Sequence, residues 1–108
     1  MKRYTFLLVF GLVFLGACRK EAAAPECVQS KINVFIDHSC EGANVKQYIF
    51  QGQTAFVFEI GACGADLTSD VVDNECKLLG RLGGFIGNTI INGDDFSDAQ
   101  YVRTVWSR

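Results

Sequence analysis

Apolar positions along the chain follow three rhythms. From Tyr4 to Leu15 they are nearly continuous, interrupted only by Thr5 and Gly11. From Val28 they recur at Ile32, Phe35 and Ile36, a spacing that lays one apolar face along a helix. Pro25 suits the first helical position and Glu26 the positive end of the helix dipole, so a helix is predicted from about Pro25 to about Asp37. Two strand-like runs follow, Val45 to Phe50 and Thr54 to Glu59, around Gln51-Gly52-Gln53. A three-residue connection containing Gly suits a hairpin. With Gly52 at its centre, Tyr48 faces Phe56 and Phe50 faces Thr54. Tyr48, Phe50, Phe56 and Phe58 then share the face assigned to packing on the helix. The opposite face, with Val45, Ile49, Ala55 and Val57, is apolar too and asks for a second covering layer. Asp70-Val71-Val72 and the alternating run Tyr101 to Trp106 are the candidates for it. Gly80, Gly83, Gly84 and Gly87 mark a loop-rich stretch between them, and Asp95 to Ala99 fits one helical turn. The expected fold is a small α+β domain, an N-terminal helix packed on an antiparallel sheet.

The chain has 108 residues, 49% of them hydrophobic, and a net charge of −2, which allows at most one small domain. That charge excludes a basic nucleic-acid binder, and the apolar content excludes a disordered chain. Lys2 and Arg3 ahead of the first apolar run give the layout of a secretory signal. A spanning helix would need ~20 apolar residues. The run closes on Leu15-Gly16-Ala17-Cys18, which resembles the bacterial lipobox. The resemblance implies cleavage after Ala17, so that residues 1–17 are a lipoprotein signal peptide, with diacylglycerol on the Cys18 sulfur and acylation of the new amino terminus. Two or more acyl chains at ~0.8 kcal/mol per buried CH₂ hold a protein stably on a membrane. Residues 18–24 then form the lipidated cysteine and a tether, and 25–108 the domain. Loss of Lys2 and Arg3 leaves 10 − 2 = 8 basic against 12 acidic residues, a net −4. Lys20-Glu21 also resembles the export signal of surface-exposed lipoproteins in Bacteroidetes-type bacteria, and Arg19 in place of Asp argues against inner-membrane retention. The expected location is the cell envelope, as an outer-membrane lipoprotein facing the periplasm or the surface.

With Cys18 assigned, Cys27, Cys40, Cys63 and Cys76 remain, an even number in an oxidising compartment and a domain of roughly 84 residues. Two disulfides are the usual outcome. A zinc site fails on spacing, since no Cys-x₂₋₄-Cys pair exists and His38 stands alone. Of the three pairings, Cys27–Cys40 is disfavoured: the helix between them separates the two by ~16 Å or more, and a bridge needs Cα atoms within ~7 Å. The hairpin register brings Cys40 beside Cys63, which favours Cys40–Cys63 at the open end of the hairpin and leaves Cys27–Cys76.

Several motifs invite a chemical reading. Asp37-His38-Ser39-Cys40 holds the residue types of a nucleophilic site, yet neighbours on a loop point apart, and a bridged Cys40 has no thiolate. The glycines from Gly80 to Gly87 lack the spacing of a phosphate loop and fit turns that need positive φ. Asp66, Asp70, Asp73 and Glu75 form one acidic group. Asn92-Gly93-Asp94-Asp95 with Asp98 forms another, and Asp94, Asp95 and Asp98 are weak calcium candidates that do not match an EF-hand loop. One His, no spare thiol and a short chain leave little material for catalysis, so no enzyme and no cofactor are expected.

From about Pro25 to Trp106 the chain resembles a family of short Bacteroidetes-type lipoproteins of unknown function. The resemblance is carried by Pro25-Glu26-Cys27, by Tyr48 to Thr54 and by Gly61-Ala62-Cys63-Gly64-Ala65-Asp66. Leu79-Gly80, Leu82-Gly83-Gly84 through Gly87-Asn88, and Asn92 to Phe96 carry it further. Leu79 and Ile91 stand where such relatives often have further cysteines, and the resemblance implies no activity. The functional expectation is a lipid-anchored envelope module that works by protein contact or as a structural component. Its partners are the membrane, through the anchor, and an envelope or secreted protein. Two alternatives are an inhibitor or binder of a secreted hydrolase, acting through an exposed loop with Arg81, Phe85 and Ile86, and a calcium- or small-ligand-binding domain. The sequence leaves the oligomeric state open.

Overall fold

The computed structural model describes residues 24–108. The signal segment, Cys18 and the tether up to position 23 lie outside the described residues. Helix α1 spans Glu26–His38, with Pro25 just before its first residue rather than inside it. Five strands form one antiparallel sheet: β1 (Asn44–Phe50), β2 (Gln53–Glu59), β3 (Thr68–Val72), β4 (Leu78–Gly83) and β7 (Gln100–Ser107), ordered β4-β3-β2-β1-β7. The short strands β5 (Ile90–Ile91) and β6 (Asp94–Asp95) make a separate hairpin that leads into a 3₁₀ turn, Phe96–Asp98. The expected class, one helix on an antiparallel sheet with two disulfides, is the one found.

The hairpin differs from expectation by one residue. Tyr48 pairs with Ala55 and Phe50 with Gln53, because the turn is the two-residue Gln51-Gly52, with φ of 54° and 76°. Two positive φ values in succession belong to the hairpin turn whose twist matches that of the strands. Side chains alternate along a strand, so a slip of one position moves a whole set to the other face. Phe56 and Phe58 lie toward the helix as expected, but Val45 joins them there. Tyr48 and Phe50 lie on the far face with Ala55 and Val57.

Each face has its own core. On the first, Val28 and Ile32 of α1 pack on Val45, Phe56, Phe58 and Val72, with Phe35 set edge-on to Phe58 at 5.3 Å and to Trp106 at 6.0 Å. On the second, Ile91 and Phe96 pack on Phe50, Ala55, Val57 and Val71. The second layer is therefore the segment Ile90–Ala99. The two expected covers, Val71-Val72 and the C-terminal run, instead flank the hairpin as β3 and β7 of the same sheet. The glycine-rich stretch also holds a strand: a Cβ on Gly80 of β4 would stand 2.9 Å from Ile91 Cδ1, so the glycine there makes room for the cover. The 3₁₀ turn is capped by Asp95, whose Oδ1 accepts from the Ser97 N–H at 2.9 Å.

Both disulfides are the favoured ones. Cys27–Cys76 ties the first turn of α1 to the β3–β4 turn, with Cα atoms 6.1 Å apart, and Cys40–Cys63 joins the segments beyond α1 and β2, with Cα atoms 5.3 Å apart. The observed register, extended past Asn44↔Glu59, sets Cys40 opposite Cys63 itself. Gly61 makes that approach feasible: at its φ of +87° a Cβ would lie 2.6 Å from the Cys40 carbonyl oxygen. Arg108 returns at the end of β7 to donate to the Ile36 and Ser39 carbonyls at 3.1 and 2.9 Å, closing the negative end of α1. Strand β7 carries two register shifts against β1, and across one of them the neighbours Val105 and Trp106 both reach the helix-side core.

Candidate functional site

The most exposed large apolar side chains sit together. Strand β4 ends at Gly83, which bridges Asn88 through two backbone hydrogen bonds of 2.8 and 2.9 Å. Between them Gly84-Phe85-Ile86-Gly87 closes a tight turn, Gly87 N–H donating to Gly84 O at 3.1 Å. Gly83, Gly84 and Gly87 have φ of +85°, +80° and +66°, values that strain any residue with a Cβ. The Asn88 side chain braces the base: its Nδ2 donates to the Arg81 and Ile90 carbonyls at 2.7 and 2.9 Å. Phe85 is 88% exposed and Ile86 83%. Because Cys27–Cys76 fixes the start of α1 to the other end of β4, this tip projects from the end of the sheet opposite to where the chain enters the domain.

Arg81 does not belong to the tip. It pairs with Asp70 across β3–β4, Nε donating to Oδ1 at 3.0 Å, and Lys31 Nζ lies 3.9 Å from the second Asp70 oxygen. The expected trio of Arg81, Phe85 and Ile86 is thus divided: two residues at the tip, one in an ion cluster. Lys31 and Asp70 of that cluster line a cleft of about 290 Å³ between α1 and β3, together with Phe35 and Phe58, and Lys31 Nζ lies 5.1 Å above the Phe58 ring. His38 lines this cleft from the last turn of α1, while Cys40 is bridged, so Asp37-His38-Ser39-Cys40 assembles no nucleophile.

A larger groove, about 480 Å³, lies on the second face along the margin of the Ile90–Ala99 cover. Its walls include Tyr48, Leu82, Phe96 and Ala99, and one end is formed by Gly83, Gly87 and Asn88, the base of the tip. Tyr48 stands edge-on to Phe96 at 5.1 Å and Tyr101 at 5.8 Å, and its burial raises its pKa above the ordinary tyrosine value. Asp95, the charged residue of the groove, is held below the usual carboxylate range by its hydrogen bonds from Ser97, backbone first.

The calcium candidates are not gathered into a site. Asp94 accepts from Gln51 Nε2 at 2.6 Å, Asp95 caps the 3₁₀ turn, and no group of three or more metal-ligating side chains occurs among the described residues. In the other acidic group, Asp73 accepts from the Glu75 and Lys77 N–H groups, each at 2.9 Å, and Asp70 is the ion-paired residue already described. Asn92-Gly93 is a second hairpin turn, with φ of 50° and 91°. An Asn-Gly pair after Ile90-Ile91 was the available signal for it. What the turn does is not visible in any local pattern: Asn92 Nδ2 donates to Gln51 Oε1 at 2.8 Å, and Gln51 Nε2 donates to Asn92 O at 3.0 Å. The two turns clasp the cover to the sheet. No helix among the described residues is long and apolar enough to cross a membrane.

Residues 37–108, two thirds of the chain, match a family described as a domain of unknown function (DUF6970). The match takes in the whole sheet and starts at the end of α1, so Cys27 lies outside it while its partner Cys76 lies inside. No curated protein and no solved structure matches the chain.

Proposed function

The chain therefore belongs to the DUF6970 family, whose description carries no activity, and we propose that it is a lipid-anchored binding module of the cell envelope that works by protein contact. The observation that carries this reading is the Phe85-Ile86 tip. Exposing two large apolar side chains costs hydration free energy, and here they are held out by a glycine-framed turn braced through Asn88. A turn whose backbone is already fixed loses little backbone entropy on association, which favours a preformed protrusion as an anchor. The position of the tip, opposite the entry of the tether, suits a partner on the far side from the anchor.

Two measurements test the two halves of the proposal. For the anchor, wild type and Cys18→Ala are fractionated in the native host: the wild type is expected in membranes and the variant in the soluble fraction, and equal membrane association refutes lipidation. For the tip, the double substitution Phe85→Ser, Ile86→Ser is expected to abolish crosslinking to the partner while stability changes by no more than about 0.5 kcal/mol. Undiminished crosslinking rejects the tip. A second reading, inhibition of a secreted hydrolase, is favoured by the convex shape of the tip, which suits a substrate cleft. A hydrolase whose turnover falls with wild-type protein, and not with the double variant, would select it.

A further inference from the structure

We propose that Asn92 is a site of spontaneous deamidation, and that its conversion to a carboxylate unlocks the second-face cover. Of the chain's five asparagines, Asn33, Asn44, Asn74, Asn88 and Asn92, only Asn92 precedes a glycine. Deamidation begins when the backbone nitrogen of the following residue attacks the side-chain carbonyl carbon, and a Cβ on that residue obstructs the approach. Gly93 has none, and the space a Cβ would fill is open, with no other atom within 4 Å. Both residues are exposed to water, in the turn between Ile91 and Asp94.

The bonds balance with water as the one reagent. The Gly93 nitrogen bonds to Asn92 Cγ, the Cγ–Nδ2 bond breaks, and ammonia leaves with the proton of the Gly93 amide. Water then opens the five-membered imide at either carbonyl, giving aspartate or isoaspartate. The clasp bears on the reaction before and after it. Before, Gln51 Oε1 accepts from Asn92 Nδ2 at 2.8 Å, so the side-chain amide must be released before it can turn onto the Gly93 nitrogen. Afterwards, the carboxylate has no hydrogen to donate to Gln51 Oε1. Turning the Gln51 amide over is no remedy, because Nε2 already serves Asn92 O at 3.0 Å and Asp94 Oδ2 at 2.6 Å. The new charge also joins Asp94 and Asp95 in one short hairpin, where like charges repel. What the clasp holds is the cover from Ile90 to Ala99, and Asn88 at the base of the tip is bonded to it through the Ile90 carbonyl. The cover therefore loosens once, irreversibly, as the molecule ages.

The test incubates the full chain, purified from its host in detergent, in mildly alkaline buffer and follows each asparagine by fragmentation mass spectrometry. Asn92 is expected to lose its amide while Asn88, in the same stretch of chain, keeps its own. Gln51→Gly suits the positive φ of the turn and removes the clasp, and is expected to speed the loss at least about threefold. Asn92→Asp is expected to quicken hydrogen exchange in residues 90–99 at least about fivefold, with α1 unchanged. Equal loss at Asn92 and Asn88, or none at either, would overturn the site. A rate indifferent to Gln51→Gly would overturn the clasp as its restraint. Unchanged exchange in Asn92→Asp would overturn the unlocking.

Discussion

On one face of the sheet, a 13-residue helix lies stapled near both ends by Cys27–Cys76 and Cys40–Cys63. On the other, the cover from Ile90 to Ala99 holds by two buried plugs, Ile91 and Phe96, and by the clasp between Gln51 and Asn92. Covalent links restrict the unfolded chain and lend the helix face stability that does not depend on perfect packing. The second face lacks such links, and its cover leaves a groove along one margin. The two faces are thus held by different means, one by covalent staples and the other by packing and a clasp of hydrogen bonds.

The sharpest way to break this division is Phe56→Ala. Phe56 is among the largest fully buried side chains, and its loss is expected to cost about 3–5 kcal/mol in denaturant unfolding. A loss below ~1 kcal/mol would show that the stapled face does not dominate stability. Next comes the paired substitution Cys27→Ser, Cys76→Ser, expected to lower stability by about 2–4 kcal/mol. An unchanged denaturation midpoint would remove the staple from the account. On the other face, Gly80→Ala drives a methyl group into Ile91 and is expected to cost ~1–3 kcal/mol. Hydrogen exchange should then quicken first in residues 90–99, and equal quickening in α1 would show that the two covers do not loosen separately.

The smallest effect is a matter of pH. The pKa of Tyr48 is raised in the folded protein, so its stabilising contribution is fully present below the unfolded tyrosine value of about 10. It is lost as pH rises through the higher folded value. Tyr48→Phe should flatten that alkaline fall in melting temperature, and an unchanged profile would mean that the groove does not shield the phenol.

The helix, the central strands and both disulfides were legible in the sequence, because 3.6-residue and two-residue periodicities and the reach of a disulfide are local or nearly local constraints. The register was not, and the reason lies in one residue. Gln51 takes φ 54°, a conformation more usual for Asn, Asp or Gly, and its longer side chain reaches Asn92 across the molecule. A distant contact thus fixes a local turn. Strand β4 was hidden by its own glycines, Gly80 being required by the packing of Ile91, and strands of two residues carry no periodicity to detect. Of the candidate site, Phe85 and Ile86 could be picked out as a loop. Arg81 was grouped with them by nearness in sequence alone, since only the β3–β4 register shows that it belongs to Asp70.

The two register shifts in β7 bear on what the molecule cannot become. Strand β7 is an outer strand of the sheet, the kind of border along which chains polymerise when amides and carbonyls are free to pair. Each shift breaks the even spacing of those groups, so an extended strand laid alongside falls out of step within a few residues. Along this border, crowded copies find no even backbone template to extend.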